Sequence, residues 1–174
     1  MQRFALFVAS VGLCIFLIPG PAQGQAVQLC VAGMQVSGVN ESSGVGQEAL
    51  IKFLKKEKPD KALPTESVTI PSSTPEDALV AAKQKGCDYL VTTNETNAHA
   101  VDSWSTGRTA PVNTPTFYVT TAYKLNKVSD GSELSSGSFK ASDSSSEQNA
   151  LSATMKKIAD KVTETIKKAG PIAK

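Results

Sequence analysis

The sequence has very little of the chemistry that enzymes and metalloproteins use. Its 174 residues include one histidine, His99, and no Gly-x-Ser-x-Gly, His-Glu-x-x-His or Ser-x-x-Lys motif. With one histidine, a zinc site would have to rely on carboxylates or on cysteines from distant segments. A Ser-His-Asp triad built on His99 and Asp102 would lie in a polar stretch without rigid support. We therefore predict a protein that is not an enzyme, with no catalytic residue, no metal site and no cofactor.

The sequence also lacks a strong excess of charge of one sign. Its 18 Lys and Arg residues oppose 16 Asp and Glu residues, for a formal net charge of +2. Nucleic-acid binding normally needs a clustered basic face, so we predict no nucleic-acid partner. One local group of lysines lies around the end of the first predicted helix: Lys52, Lys55, Lys56, Lys58 and Lys61. These lysines complement the helix carboxyl terminus, and the alternative is a patch for anionic envelope polymers or lipid headgroups.

No hydrophobic run is long enough for a stable membrane span. The run from Phe4 to Ile18 follows the basic Arg3 and falls short of the roughly 20 apolar residues that a spanning helix needs. The small residues of Ala22-Gln23-Gly24 then form a cleavage site, which completes the pattern of a secretory signal. We predict a signal peptide over residues 1–24 and a single mature domain over residues 25–174.

A lipid anchor is not predicted. Bacterial lipoprotein signals need a small residue directly before the modified cysteine, but Cys14 follows Leu13 and Cys30 follows Leu29. The expected product is a periplasmic or secreted protein without a membrane span after cleavage.

The first half of the mature sequence alternates predicted strands and helices. Residues 27–36 are apolar at nearly every position, which is typical of a strand that is covered on both faces. A helix follows over residues 47–58, then a short strand over 66–70 and a second helix that begins at Thr74. A third strand opens at Cys87. This β-α-β-α-β order predicts parallel strands with right-handed crossovers.

The second half predicts an antiparallel hairpin and a final helix. Residues 92–115 form a long polar stretch that we interpret as a loop, and residues 116–128 alternate as a strand does. A return strand over residues 133–141 follows the turn residues Asp130-Gly131, and a long helix begins after Ser146.

The hairpin register can be predicted from its aromatic residues. A two-residue Asp130-Gly131 turn would leave Phe139 on the face opposite Tyr123, whereas a shift by one residue pairs Thr121 with Phe139. We therefore predict a three-residue connection with Gly131 in the bulge position.

Several of these features resemble a known group of envelope domains. The sequence Gly-Cys-Asp-Tyr-Leu-Val at 86–91 opens the third strand, Ser-Asp-Gly-Ser-Glu-Leu at 129–134 forms the turn, and a helix starts at Ser146. This pattern resembles the amino-terminal domain of TolB and the related domains of the curli secretion protein CsgG and the LpoB lipoprotein. The match spans about residues 27–169, but the chain lacks the group's Pro-Phe after the first strand and its lipidated cysteine.

The resemblance implies both a fold and a role. It implies an α/β fold: a three-layer α/β/α sandwich whose mixed five-stranded sheet has the order 2-1-3-4-5, with strand 4 antiparallel. It also implies a non-enzymatic, exported envelope module that interacts with another protein. One fold hosts many functions, so the role is an inference separate from the fold.

The polar stretch contains the candidate partner-binding residues. Trp104 is the only tryptophan, and it lies close to Arg108 and His99 among serines and threonines. Because Trp and Arg are enriched at binding hot spots and loops often carry binding, we predict that these three residues contact an envelope protein. Trp104 packed back onto the sheet is the alternative interpretation.

A second functional reading remains open. A secreted protein that binds a small ligand or an anionic polymer would use the carboxyl edge of the parallel strands, near residues 37–46.

Two cysteines, Cys30 and Cys87, remain after cleavage. An exported chain with an even pair of cysteines is suited to a disulfide, because its compartment is oxidising. In the 2-1-3 strand order the two residues start neighbouring parallel strands, at a distance that a disulfide accepts. We predict a Cys30–Cys87 bond, with two buried thiols as the alternative.

Overall fold

The computed structural model describes residues 27–33, 35–36, 43–56, 65–70, 74–106 and 111–169. The predicted signal peptide, residues 1–24, lies outside the described residues. The elements, in chain order, are β1 (Val27–Ala32), β2 (Gln35–Val36), α1 (Ser43–Lys56), β3 (Thr65–Ile70), α2 (Pro75–Gln84), β4 (Tyr89–Thr106), β5 (Pro111–Lys127), β6 (Glu133–Asp143) and α3 (Glu147–Ala169). Among them, no helix has both the length and the apolar character needed to cross a bilayer.

The sheet confirms the predicted topology. Its strand order is β3-β1-β4-β5-β6, and the two-residue β2 pairs with β4 beside this path. Strand β1 lies parallel to both β3 and β4, whereas β5 is antiparallel to β4 and to β6. This is the predicted 2-1-3-4-5 order with an antiparallel fourth strand.

Strand β1 is apolar on both faces because each face lies in a separate core. Leu29 and Val31 pack into the core that α1 and α3 cover. Cys30 and Ala32 point to the other face and pack with residues of α2. The alternation of side chains along a strand thus places one continuous apolar run in two cores, which gives the three-layer arrangement.

Helix α2 begins where the local chemistry predicts. The Oγ1 atom of Thr74 accepts a hydrogen bond of 3.1 Å from the backbone N–H of Asp77, and Pro75 occupies the first helical turn. After the helix, Gly86 has a φ of 71°, a conformation that glycine adopts without a Cβ clash.

The predicted loop over residues 92–115 is wrong. Strand β4 continues to Thr106 and β5 already begins at Pro111, so most of this polar stretch is a paired antiparallel ribbon. A bulge at Thr96 interrupts the register, since Glu95 pairs with Thr121 and Asn97 with Thr120. Cross-strand hydrogen bonds satisfy the backbone of such a ribbon, so its exposed side chains need no apolar pattern.

The hairpin between β5 and β6 confirms the predicted pairing. Thr121 pairs with Phe139, and the Phe139 ring stacks on Tyr123 with 5.9 Å between the ring centroids. Phe139 therefore lies on the core face, as its apolar side chain requires.

The predicted three-residue connection in this hairpin is wrong. The backbone N–H of Lys127 donates to Ser132 O at 2.8 Å, and the N–H of Gly131 donates to Lys127 O at 2.9 Å, which leaves four residues between Lys127 and Ser132. A separate bulge at Leu134 then restores the register, since Asn126 pairs with Glu133 and Leu125 with Ser135. Gly131 does have a positive φ, 75°.

The predicted disulfide is present between Cys30 and Cys87, with the Cα atoms 5.8 Å apart. Within the sheet, however, Cys30 pairs with Leu90, so the two cysteines are not opposite each other. The backbone N–H of Cys87 donates to Ala82 O at 3.0 Å, which holds Cys87 at the end of α2. The disulfide thus links the central strand to the end of α2 within the smaller core.

Candidate functional site

One side of the antiparallel ribbon is exposed beyond the first turn of α2. Helix α2 packs against β3 and the first part of β4. Residues paired across antiparallel strands point to the same side, so the register identifies the side chains on the α2 side. We call this surface the open face, and it consists of Asn97, His99, Val101, Tyr118, Thr120 and Lys140. Within the described ranges, no helix covers it.

An aromatic and cationic cluster lies at the centre of the open face. The imidazole of His99 stacks on the Tyr118 ring, with centroids 5.3 Å apart and an interplanar angle of 17°. The ammonium of Lys140 lies 4.9 Å from the centroid of the same ring. The His99 ring also makes a 3.2 Å hydrogen bond to Asn97 Oδ1. Exposed cation–π contacts contribute only about 0.5–1 kcal/mol, so the cluster orients these side chains more than it stabilises the fold.

The open face combines positive charge with apolar surface. Lys140 provides the charge. The nearby Asp102 and Asp143 lie on the opposite side of the ribbon, where they pair with Pro115 and Phe117. Val101 is 47% exposed and adds apolar surface to this face. A partner that presents a carboxylate beside an apolar group would complement this arrangement.

The structure brings together only part of the predicted site. His99 lies on the open face, where it pairs with Tyr118. Trp104 belongs to β4 and its backbone pairs with Asn113, but its side chain lies outside the described part of the chain. Arg108 falls in residues 107–110, which are also outside it. Partner contact by these three residues stays a prediction.

Sequence reasoning missed Tyr118 and Lys140. The apolar alternation of β5 drew attention to Phe117 and the odd-numbered positions, which face the core, and left Tyr118 on the other side. The signal in the sequence was that Tyr118, an aromatic residue, falls between the positions that face the core. The position of Lys140 above it depends on the hairpin register.

A pocket of about 210 Å³ lies beside the open face. It opens between the carboxyl ends of β1 and of the parallel part of β4, against the first turn of α2. We call it the switch-point pocket, because the chain connections on the two sides of β1 diverge there.

A buried carboxylate lies on the core side of β4. Glu95 pairs with Thr121 next to the bulge and is almost fully buried. Burial raises the pKa of the Glu95 carboxyl, and the negative charge of Glu147 raises it further. One of its oxygens, Oε2, has no hydrogen-bond partner among the described residues. The described residues contain no group of three or more His, Cys, Asp or Glu side chains suited to a metal ion.

Comparison with solved structures supports the fold. No family model matches this sequence, and no curated protein does. The PelC dodecamer from Paraburkholderia phytofirmans is similar in structure, with a TM-score of 0.57 at 14% identity over 83% of this chain and 92% of that chain. Protein XCC0632 from Xanthomonas campestris, of the DUF330 family model, has a TM-score of 0.56 at 13% identity over 87% and 92%.

The resemblance to LpoB is weaker in three dimensions. The LpoB carboxy-terminal domain from Salmonella enterica has a TM-score of 0.44 at 14% identity, over 67% of this chain and 82% of that chain. The resemblance to TolB and CsgG stays a prediction. At these identities, the likeness to PelC and XCC0632 shows a shared fold and nothing about activity.

Proposed function

We propose that this chain is an exported, non-enzymatic protein of the cell envelope that docks on a protein partner through the open face. The observation that carries the proposal is the contact of the exposed His99 and Lys140 side chains with the half-buried Tyr118 ring, on a sheet surface that no described helix covers. Aromatic and cationic side chains of this kind are enriched in interfaces, where a preformed stack loses little entropy on binding.

Export rests on two independent features. The first is the signal pattern of residues 1–24. The second is the Cys30–Cys87 bond, which suits an oxidising compartment such as the periplasm or the extracellular medium. The absence of catalytic motifs from the sequence supports a binding role.

The partner's chemistry follows from the charge of the open face. Lys140 stacks on Tyr118, so a carboxylate that approaches Lys140 would also contact the tyrosine ring. The exposed Val101 adds apolar area on the next strand. We expect an envelope protein with an acidic side chain flanked by apolar residues. PelC forms a dodecamer in its crystal, so the test must distinguish a different protein from a second copy of this chain.

A site-specific photo-crosslinker provides the test. The crosslinking residue replaces Val101 on the open face or, as a control, Val80 on α2, which is 55% exposed. Expressed in the envelope of the source cell, the Val101 variant should give one discrete adduct with a different protein. The Val80 variant should not give it.

Charge reversal then links the adduct to the cluster. Lys140→Glu should weaken binding of the identified partner by about tenfold or more, because an attractive charge becomes repulsive. Lys156→Glu is the matched control, since Lys156 is exposed on α3. Equal adducts at both crosslinker positions, or an adduct of twice the chain's own mass, would overturn the proposal of a separate protein partner. Binding of an anionic polymer in place of a protein would also overturn it.

A further inference from the structure

Strand β6 lies at one edge of the sheet. It is last in the order β3-β1-β4-β5-β6, and among the described strands it pairs with β5 alone. None of its 11 residues is fully buried, and none is a proline. An edge strand of this length presents a row of backbone N–H and C=O groups to which a segment of another protein can add as a further strand.

Hydrogen bonds on the two sides of the hairpin show which backbone groups of β6 point outwards. Lys140 pairs with Thr120, whose carbonyl accepts a hydrogen bond of 3.2 Å from Thr96 Oγ1 and is therefore directed to β4. The backbone of Lys140 is thus directed away from β5. In agreement, the Lys140 carbonyl accepts a hydrogen bond of 2.9 Å from Lys157 Nζ on α3.

The same direction repeats at every second residue of β6. Beyond the bulge at Leu134 the pairing with β5 is regular, so Ser136 and Ser138 direct their N–H and C=O groups outwards as Lys140 does. We call the outward backbone groups of these three residues the β6 edge. Within the described ranges, no backbone group of another element is bonded to it. Ser136, Gly137 and Ser138 are exposed and small, so they leave space for an incoming strand.

Two lysines give the β6 edge a positive charge. Lys140 holds its ammonium on the open face, 4.9 Å from the centroid of the Tyr118 ring. Lys157 holds a second ammonium at the outward carbonyl of Lys140. Both side chains are exposed, and neither takes part in an ion pair in the described part of the chain.

The carboxylates at the two ends of β6 are engaged within the chain. Glu133 accepts a hydrogen bond from Ser136 Oγ and lies 3.9 Å from Lys124 Nζ. Asp143 accepts a hydrogen bond of 2.7 Å from the backbone N–H of Ser145. Lysines on an edge strand discourage pairing with neutral or basic strands. An acidic strand is therefore the complement that this edge selects.

We propose that the partner of the open face binds by adding an extended, acidic segment to the β6 edge as an antiparallel strand. This inference rests on the proposed docking function and specifies how the partner is held. The backbone of the segment bonds to residues 136, 138 and 140, and its carboxylate lies opposite Lys140, because paired residues point to the same side of a sheet. A second copy of this chain is disfavoured, since it would bring Lys140 and Lys157 to the shared edge twice.

Titration of the isotope-labelled mature protein with a synthetic peptide, followed by NMR, tests the proposal. The peptide is acetyl-Thr-Val-Thr-Glu-Thr-Val-Thr-amide, in which the carboxylate is flanked by apolar residues on one side of the strand. The backbone amide signals of Ser136, Ser138 and Lys140 should shift together and saturate. A peptide with Lys in place of Glu should bind about tenfold more weakly or less, because its charge repels the edge. No saturable shift with the acidic peptide would overturn the proposal.

Methylated peptides test the backbone hydrogen bonds directly. In an antiparallel pairing with Glu opposite Lys140, the Glu and Val nitrogens of the peptide face β6 and the Thr nitrogens face away. Methylation of the Glu and Val nitrogens should abolish saturable binding. Methylation of the Thr nitrogens should leave the affinity within about threefold. Equal binding by the two methylated peptides would contradict strand addition.

Substitution of Ser138 tests the same bonds from the side of the protein. Ser138→Pro removes an outward N–H from the centre of the β6 edge, so the affinity for the acidic peptide should fall by more than about tenfold. Proline is tolerated where the N–H of an edge strand faces away from the sheet, and thermal unfolding checks that the variant folds. Ser138→Thr is the matched control and should bind within about threefold, because it keeps the N–H. Unchanged binding by Ser138→Pro would sink the proposal.

The Val101 crosslinking variant separates this inference from the proposed function. Combined with Ser138→Pro, it should lose its discrete adduct. An adduct that persists would leave docking through the open face intact and overturn strand addition. If the Val101 variant gives no adduct at all, docking itself fails, and the peptide titration still decides whether the β6 edge binds a strand. A dimer of the original chain that Ser138→Pro dissociates in sedimentation would assign the edge to a second copy and also overturn the proposal.

Discussion

Cys30 is bonded to Cys87, but its neighbour across the sheet is Leu90. The bond therefore connects β1 to the segment between α2 and β4, and it closes a loop with a sequence separation of 57 residues. In the chain-entropy model, a loop of this length stabilises the folded state by roughly 4 kcal/mol.

The first prediction concerns this disulfide. The double variant Cys30→Ala/Cys87→Ala should lose about 2–4 kcal/mol of unfolding free energy in denaturant titration, because its unfolded chain regains freedom. Reductant should destabilise the original protein and leave the double variant unchanged. Two titratable thiols in the unfolded, unreduced mature protein would contradict the bond.

The buried threonine pair predicts an asymmetric result. Thr154 Oγ1 donates to Leu151 O at 2.7 Å, so Thr121 must be the donor in the 3.0 Å contact between the two hydroxyls. Thr154→Val leaves the Thr121 hydroxyl buried without its acceptor and should cost about 1–3 kcal/mol.

Substitution of Thr121 should lower the free energy of unfolding by less than substitution of Thr154. Thr121→Val leaves Thr154 bonded to Leu151, so we expect a loss below about 1 kcal/mol. The Thr121→Val/Thr154→Val double variant should recover part of the loss seen in Thr154→Val. Chemical denaturation of the three variants measures the cycle, and equal losses in the two single variants would contradict the assigned donor.

Glu95 predicts a pH-dependent penalty. Burial and the charge of Glu147 raise the pKa of Glu95 in the folded state above its ordinary value of 4.5. Folding therefore favours the protonated form of Glu95. Its contribution to the free energy of unfolding is present at low pH and is lost as the pH rises through the raised pKa. Glu95→Gln should match the original protein in stability below about pH 4.5 and exceed it at neutral pH.

Glu164 is the control of opposite sign. Hydrogen bonds and charges from Lys168 and Lys161 lower the pKa of Glu164, so this carboxylate stabilises the fold above its ordinary pKa. Glu164→Gln should thus lower stability at neutral pH. Thermal unfolding across the pH range distinguishes the two, and a loss of stability in Glu95→Gln at neutral pH would contradict the prediction.

Gly131 predicts a cost at the hairpin turn. Its φ of 75° lies in the left-handed region, and an added Cβ would come within 3.3 Å of Leu79 Cδ2. Gly131→Ala should therefore destabilise the protein by about 1–2 kcal/mol. Gly44→Ala is the control, because a Cβ there meets nothing within 4 Å and alanine favours the helix. Equal melting temperatures for the two variants would contradict the prediction.

Local patterns were sufficient for the elements that carry strong signals. The unbroken apolar run of β1 required cover on both faces, and its residues divide between two cores. Thr74 and Pro75 marked the start of α2 because capping depends on nearest neighbours in the chain. The pairing of Thr121 with Phe139 followed from the need to bury an aromatic side chain.

Local patterns failed where pairing decides conformation. Residues 92–106 are too polar to read as a strand, yet they form one because β5 supplies hydrogen-bond partners along their length. The four-residue turn and the bulge at Leu134 together give the register that a three-residue turn would give. The alternation of side chains fixes only the combined effect of the turn length and the bulge on the register. It does not determine how long the turn is or where the bulge lies.

The sequence by itself determined the α/β class and supplied the pair of cysteines, because alternation, caps and composition act over a few residues. The strand order was implied only by the resemblance to the envelope domains. Only the tertiary structure decided that Tyr118, His99 and Lys140 meet on one surface and that Asn94 borders a pocket. These residues lie on different strands, and a single residue of register shift would move each to the other side of the sheet. Candidate function in this chain therefore depends on pairing geometry that no local pattern encodes.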